Sequence, residues 1–149
     1  MIVVDSSVWI DFFSGRATPR TRTLLSLMGS EPLLVGDVIL CEVLQGARTE
    51  AHAQVLEREL RKFEVVPMLN PDLAVAAAKN YRSLRSAGVT IRKTIDLIIG
   101  TFCIAYEHAL FMMIATSSPW RFIWLSRRPS TNNGFYAWKG RACIRVLSA

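Results

Sequence analysis

The sequence predicts an α/β domain of three layers, with helices on both sides of a central parallel sheet. Two observations carry that expectation. Short apolar runs, among them Ile2-Val3-Val4 and Leu33-Leu34-Val35, alternate with stretches of helical periodicity. The first run is β-branched throughout, as a strand buried on both faces requires, and it ends on Asp5. An acid at the carboxyl end of a buried parallel strand stands where open α/β sheets keep their sites. The 149 residues, 51% apolar, suit one domain with a single core.

The elements follow in order. Ser6 and Ser7 are positioned to cap a helix that begins near Val8 and carries Trp9, Ile10, Phe12 and Phe13. Thr18-Pro19 reads as a second helix start, with Leu24, Leu25 and Met28 as its buried side. Gly29 to Pro32 breaks the chain before the second strand, and Gly36-Asp37 turns into a helix from Val38 to Ala47. Residues 50–62 form a charged amphipathic helix with Val55, Leu56 and Leu60 inward. Glu64 to Pro67 is a third strand. Asn70-Pro71 opens a helix whose stripe is Leu73, Ala77, Tyr81 and Leu84. After a turn at Gly88, Ile95 to Ala105 is a core helix, and Ala109 to Ala115 begins as a fourth buried strand.

Composition narrows the function. No apolar run approaches the roughly 20 residues of a membrane span, so no membrane role is expected. The first residues include an acid and no basic segment, unlike a secretory leader. Cys41, Cys103 and Cys143 are widely spaced, which fits free thiols in a reducing cytoplasm better than a zinc site. His52 falls on a polar helix and His108 in a turn; neither invites histidine catalysis. Residues 1–110 hold 12 acids and 12 Lys or Arg, whereas residues 111–149 hold no acid and six bases. Trp120, Trp124 and Trp138 fall in the same acid-free tail.

Glu42 and Asp96 each stand inside an apolar helical run. A carboxylate in such surroundings is costly unless something pairs with it. Arg48, Lys93 or solvent at a helix end would explain either acid singly. One explanation covers Asp5, Glu42 and Asp96 together: they converge at one end of the sheet and bind a hard cation. Magnesium takes oxygen ligands and keeps several waters, so few direct carboxylates suffice. Arg92 and Lys93, just ahead of Asp96, are candidates for touching a substrate phosphate, with a solvated helix start as the plainer account.

The segments MIVVDSSVWIDFF, LLVGDVILCEVLQGAR and TIDLIIGTFCIAYEHAL resemble a PIN-domain ribonuclease of the VapC toxin type, over about residues 1–110. The resemblance implies a PIN-like three-layer fold and magnesium-dependent, or manganese-dependent, hydrolysis of RNA. It implies catalytic and metal-binding roles for Asp5, Glu42 and Asp96, with Ser7 orienting the first acid. It also implies a homodimer held inactive by a cognate VapB-like antitoxin, whose helical tail enters an apolar groove. The alternative is a catalytically dead PIN-like module that binds antitoxin or RNA without cleaving.

The resemblance stops where the family carries a fourth acid in a D-x-D-F-like segment; residues 111–120 hold none. A frameshift would account for this, the alternative being a natural tail that diverged. Read from the third base of the Met112 codon, the two methionine codons give Asp-Asp, and permitted codons then give Arg-Asp-Phe-Glu-Pro-Leu. The expected organisation is therefore a nuclease domain over 1–125 and a divergent basic tail over 126–149, out of frame or poorly ordered. Interleaved Arg and Trp would also suit single-stranded RNA, but no periodic face organises the arginines.

Overall fold

The computed structural model describes residues 1–86, 88, 91 and 93–112 in full, together with the backbone of two later strands. Strands β1 (Ile2–Val4), β2 (Leu33–Gly36), β3 (Glu64–Val66) and β4 (Ala109–Phe111) form one parallel sheet in the order β3-β2-β1-β4. In register, Ile2 faces Leu33 on one side and Ala109 on the other. β1 is thus an interior strand with both edges paired, and all of its residues are buried. That is why its sequence is apolar without alternation.

Among the described residues six helices flank the sheet: α1 (Ser6–Phe13), α2 (Pro19–Ser30), α3 (Asp37–Gln45), α4 (Glu50–Leu60), α5 (Pro71–Ser86) and α6 (Thr94–Ala105). α1 packs on α2 and α3, α3 packs on α4, and α5 packs on α6. The three-layer α/β/α expectation is met. The fourth strand is shorter than expected, ending at Phe111; residues 113–115 lie outside the described residues. Beyond it, β5 (Arg121–Ser126) and β6 (Cys143–Ser148) pair antiparallel as a separate two-stranded sheet.

The main core cluster surrounds β1, β2 and β4, with Val8, Trp9, Leu24, Ile39, Leu60 and Ile99 fully or almost fully buried, and a smaller one joins Ala77, Leu84 and Leu97. Trp9 packs against Phe12, Phe13 and Phe63 with ring centroids 6.3, 5.8 and 5.0 Å away. Three side chains expected to be inward are instead exposed: Leu25, Val55 and Tyr81. Each lies beside the buried stripe of its helix, and a surface helix buries an arc of its circumference rather than every apolar residue. Gly36 is dictated by packing, because a Cβ there would collide with the buried Met68 side chain.

α1 is joined to α2 by charge. The buried Asp11 carboxylate accepts Arg16 Nη1 at 3.1 Å and Arg20 Nη1 at 3.0 Å. Thr18 caps α2 in a reciprocal pair with Thr21. Among the described residues no helix is long and apolar enough to cross a membrane. Burial pushes the Cys103 thiol up to about 12, so it is protonated and unreactive at neutral pH, whereas Cys41 is exposed.

Candidate active site

The site begins with the end of β1. Asp5 leaves the strand in extended conformation and becomes the N-cap of α1, its side chain accepting from Ser7 N. The helix thus starts at Ser6 rather than near Val8, and Asp5, not Ser6 or Ser7, caps it. A carboxylate fits this place because the first turn presents unpaired N–H groups and the positive end of the helix dipole. Asp5 Oδ2 accepts Ser7 N at 3.0 Å and Ser7 Oγ at 2.6 Å. The backbone N–H of Asp5 donates to Phe111 O at 2.9 Å, which ties the acid to β4 as well. Ser7 therefore holds the Asp5 carboxylate through both its backbone and its hydroxyl.

Glu42 comes from the second turn of α3 and not from its start. Its side chain is 16% exposed, accepts Ser6 Oγ at 2.7 Å through Oε2, and lies 3.9 Å from Lys93 Nζ through Oε1. Ser6 is a site residue that sequence reasoning missed. In the chain it reads as a helix-cap residue, and only packing of α1 on α3 brings it to Glu42. Of the two bases proposed as partners for Glu42, Lys93 is the one that reaches it. That contact is long and Lys93 is exposed, so it neutralises the acid weakly.

Asp96 lies in the first turn of α6 and is half-buried. Burial is the main cause holding its carboxyl above the usual aspartate range; the negative charges of Asp5 and Glu42 add to the shift, and Lys93 opposes it. The three acids therefore share one electrostatic environment, although 91 positions separate the first from the last. Arg92 lies outside the described residues. A fourth acid at this end of the sheet, Asp37, is occupied by backbone, accepting from Val38 N at 2.8 Å and Met68 N at 3.0 Å.

The donors suit a hard divalent cation: all are carboxylate oxygens, and their mutual repulsion is what such an ion relieves. Among the described residues no three Asp, Glu, His or Cys side chains close tightly enough to hold an ion directly. Magnesium does not demand it, since it keeps several waters and takes only one or two carboxylates.

The histidines are elsewhere. His52 accepts the Arg48 N–H at 3.4 Å on exposed α4. His108 packs near Phe102 and Tyr106 just before β4, at the opposite end of the sheet. Burial, helped by the amino-terminal charge, holds it below the usual imidazole range. Neither is among the groups that shift Asp96.

The PIN domain matches residues 2–112. The chain is 31% identical over 111 residues to the VapC ribonuclease Mb1587 of Mycobacterium bovis, covering 71% of this chain and 81% of that protein. The same figures hold for ribonuclease VapC11 of Mycobacterium tuberculosis. Among solved structures, VapBC2 of Rickettsia felis bound to a promoter DNA fragment superposes with a TM-score of 0.62 at 16% identity, over 75% of this chain and 87% of that one. VapC20 of M. tuberculosis, a sarcin–ricin-loop cleaving toxin, gives 0.59 at 16% identity, over 77% and 91%. The chain belongs to the PIN-domain family, among the VapC-type ribonucleases.

Proposed function

We propose that this protein is a metal-dependent endoribonuclease acting as the toxin of a VapBC-like toxin–antitoxin pair. The observation that carries the reading is the shared electrostatic environment of Asp5, Glu42 and Asp96 at the carboxyl end of the sheet, in a chain of this family. Asp5 and Asp96 are the leading metal-binding residues, and Glu42 acts directly or through a bound water. A divalent ion held there, magnesium or manganese, supplies a water nucleophile and offsets the charge that develops on the phosphate. The chain's own part is positional. Ser7 fixes the Asp5 carboxylate, Ser6 fixes Glu42, and Lys93 adds a cation beside them for a substrate phosphate.

The partner in this reading is an antitoxin, in keeping with a neighbouring fold described as a toxin–antitoxin complex from Klebsiella pneumoniae. A cleft of about 610 Å³ between α1, α3 and α4, lined in part by Ile10, Phe13, Val43 and Leu56, has the apolar lining that an antitoxin helix needs. A homodimer and a cytoplasmic location complete the reading. Purified chain with magnesium should cleave RNA, and Asp5→Asn, which keeps a good capping side chain, should cut at least about 100-fold more slowly. Equal rates for the two proteins would favour the non-cleaving, binding alternative.

The frameshift belongs to the same proposal. The PIN match ends at residue 112, at the methionine codon where the alternative frame restores the acidic segment. On this reading residues 1–125 act as the nuclease domain and the basic residues of 126–149 are incidental to catalysis. The coding DNA decides it: codons of residues 112–120 that do not spell Asp-Asp-Arg-Asp-Phe in the shifted frame exclude the idea. A frame-restored chain should need less magnesium for the same cleavage rate, because it regains a charged ligand.

A further inference from the structure

Ser6 and Ser7 open α1 side by side, and each holds a different carboxylate. Successive residues of a helix project about 100° apart, so the two hydroxyls face different partners. Ser7 turns back to Asp5, whose Oδ2 accepts both Ser7 N at 3.0 Å and Ser7 Oγ at 2.6 Å. Ser6 turns across to α3, which packs on α1, and donates to Glu42 Oε2 at 2.7 Å. In each acid these bonds engage one oxygen only. Among the described residues Asp5 Oδ1 and Glu42 Oε1 accept no hydrogen bond. Lys93 Nζ, 3.9 Å away, approaches Glu42 at this second oxygen, Oε1.

Divalent cations differ in what they ask of a carboxylate. Magnesium demands a near-ideal octahedron, and the two oxygens of one carboxylate subtend too small an angle for it. Calcium takes roughly six to eight oxygens in flexible geometry and accepts carboxylates through one oxygen or both. Ser6 is 7% exposed. A cation that takes both Glu42 oxygens has to draw Oε2 away from Ser6, leaving a buried hydroxyl without its acceptor. Asp96 has no such hydrogen bond among the described residues, so the restriction is set from α1.

We propose that Ser6 is a positioning residue that makes Glu42 a one-oxygen ligand and so favours magnesium over calcium at this site, with Ser7 acting alike on Asp5. The proposal rests on the metal-binding reading above and adds a basis for the choice of cation. Ser6 acts through Glu42 and touches neither the ion nor the substrate.

The test reads metal binding without RNA. Electron paramagnetic resonance of manganese follows its uptake by the protein and its displacement by magnesium or by calcium. The proteins compared are the parent, Ser6→Ala, Ser6→Thr, Glu42→Gln and the double variant S6A/E42Q, each checked for folding by circular dichroism. Ser6→Ala should weaken magnesium binding about tenfold, the lower end for loss of a group that orients a metal ligand. Calcium binding should stay unchanged or strengthen, because the released Glu42 offers it a second oxygen. Ser6→Thr keeps the hydroxyl and should keep the parent's preference. In the Glu42→Gln background, removing the hydroxyl should change neither affinity, since the carboxylate it positions is gone. Equal weakening of both ions by Ser6→Ala overturns the proposal, as does no change in either. So does a threonine protein that behaves like the alanine one, or the same loss in the glutamine background. The two readings fail separately. A parent that takes up no manganese defeats the metal site and this proposal with it. Magnesium binding that ignores Ser6 defeats the proposal alone. A parent with the expected preference that never cuts RNA defeats the nuclease and leaves the role of Ser6 standing.

Discussion

Replacing Asp96 by asparagine should abolish RNA cleavage and, in the same protein, raise its stability in the absence of metal. The first effect follows from removing a carboxylate proposed to hold the ion, a loss of at least about 100-fold. The second follows from the environment of the side chain. Asp96 is held above the ordinary aspartate range near 3.8, first by burial and then by the charges of Asp5 and Glu42. A carboxyl with a raised folded-state pKa binds its proton more tightly in the folded protein than in the unfolded chain. Its contribution to stability is therefore complete below the unfolded value, and is lost as pH rises through the folded one. At neutral pH the ionised carboxylate is a liability that asparagine removes. Solvent reaches this half-buried group, so after discounting for screening the gain is a few tenths to about 1 kcal/mol.

Thermal melts without divalent ions check this directly. The variant should melt above the parent at pH 7, and the gap should close below about pH 4. Magnesium should then raise the parent's melting temperature and leave the variant's almost unmoved, because only a bound ion shifts the folding equilibrium. An Asp96→Asn protein that melts with the parent at pH 7 and still cuts RNA would remove Asp96 from the site.

Trp9→Ala should be the most destabilising single change in the first helix, costing about 3–5 kcal/mol. That is a large part of the roughly 5–15 kcal/mol that holds a domain of this size together. Trp9 is fully buried and meets three aromatic rings, on α1 itself and on Phe63 just before β3. Deleting it leaves a cavity at the joint between α1 and the sheet. Its buried indole Nε1 has no hydrogen-bond acceptor among the described residues. Trp9→Phe therefore forfeits no hydrogen bond, and should cost only the smaller volume, about 1–2 kcal/mol. Urea midpoints of the three proteins at one m-value measure the order. Phenylalanine as costly as alanine would mean that the indole N–H, and not packing, holds this position.

Much of the fold was legible because local chemistry and global position agree. β1 is written as three consecutive β-branched or apolar residues because both of its faces and both of its edges are covered. Thr18-Pro19 announced α2 because capping is satisfied within one turn of chain. Leu25, Val55 and Tyr81 misled because periodicity gives the apolar side of a helix but not the width of the face that its neighbours cover. Asp5, Glu42 and Asp96 were conspicuous because a carboxylate within an apolar run has few cheap explanations.

What the sequence determined by itself is that three acids stand in apolar surroundings, and the alternation that places Asp5 at a strand end. Only the tertiary structure decided how they are held. Ser6 reaching Glu42, Lys93 selected over Arg48, and Asp37 taken up by the Met68 backbone all depend on contacts between segments remote in sequence. Residue type and spacing set what a side chain can do within its own helix or strand. Which partner it meets across the fold is set by how helices pack on the sheet, through buried side chains whose pairings no local pattern records.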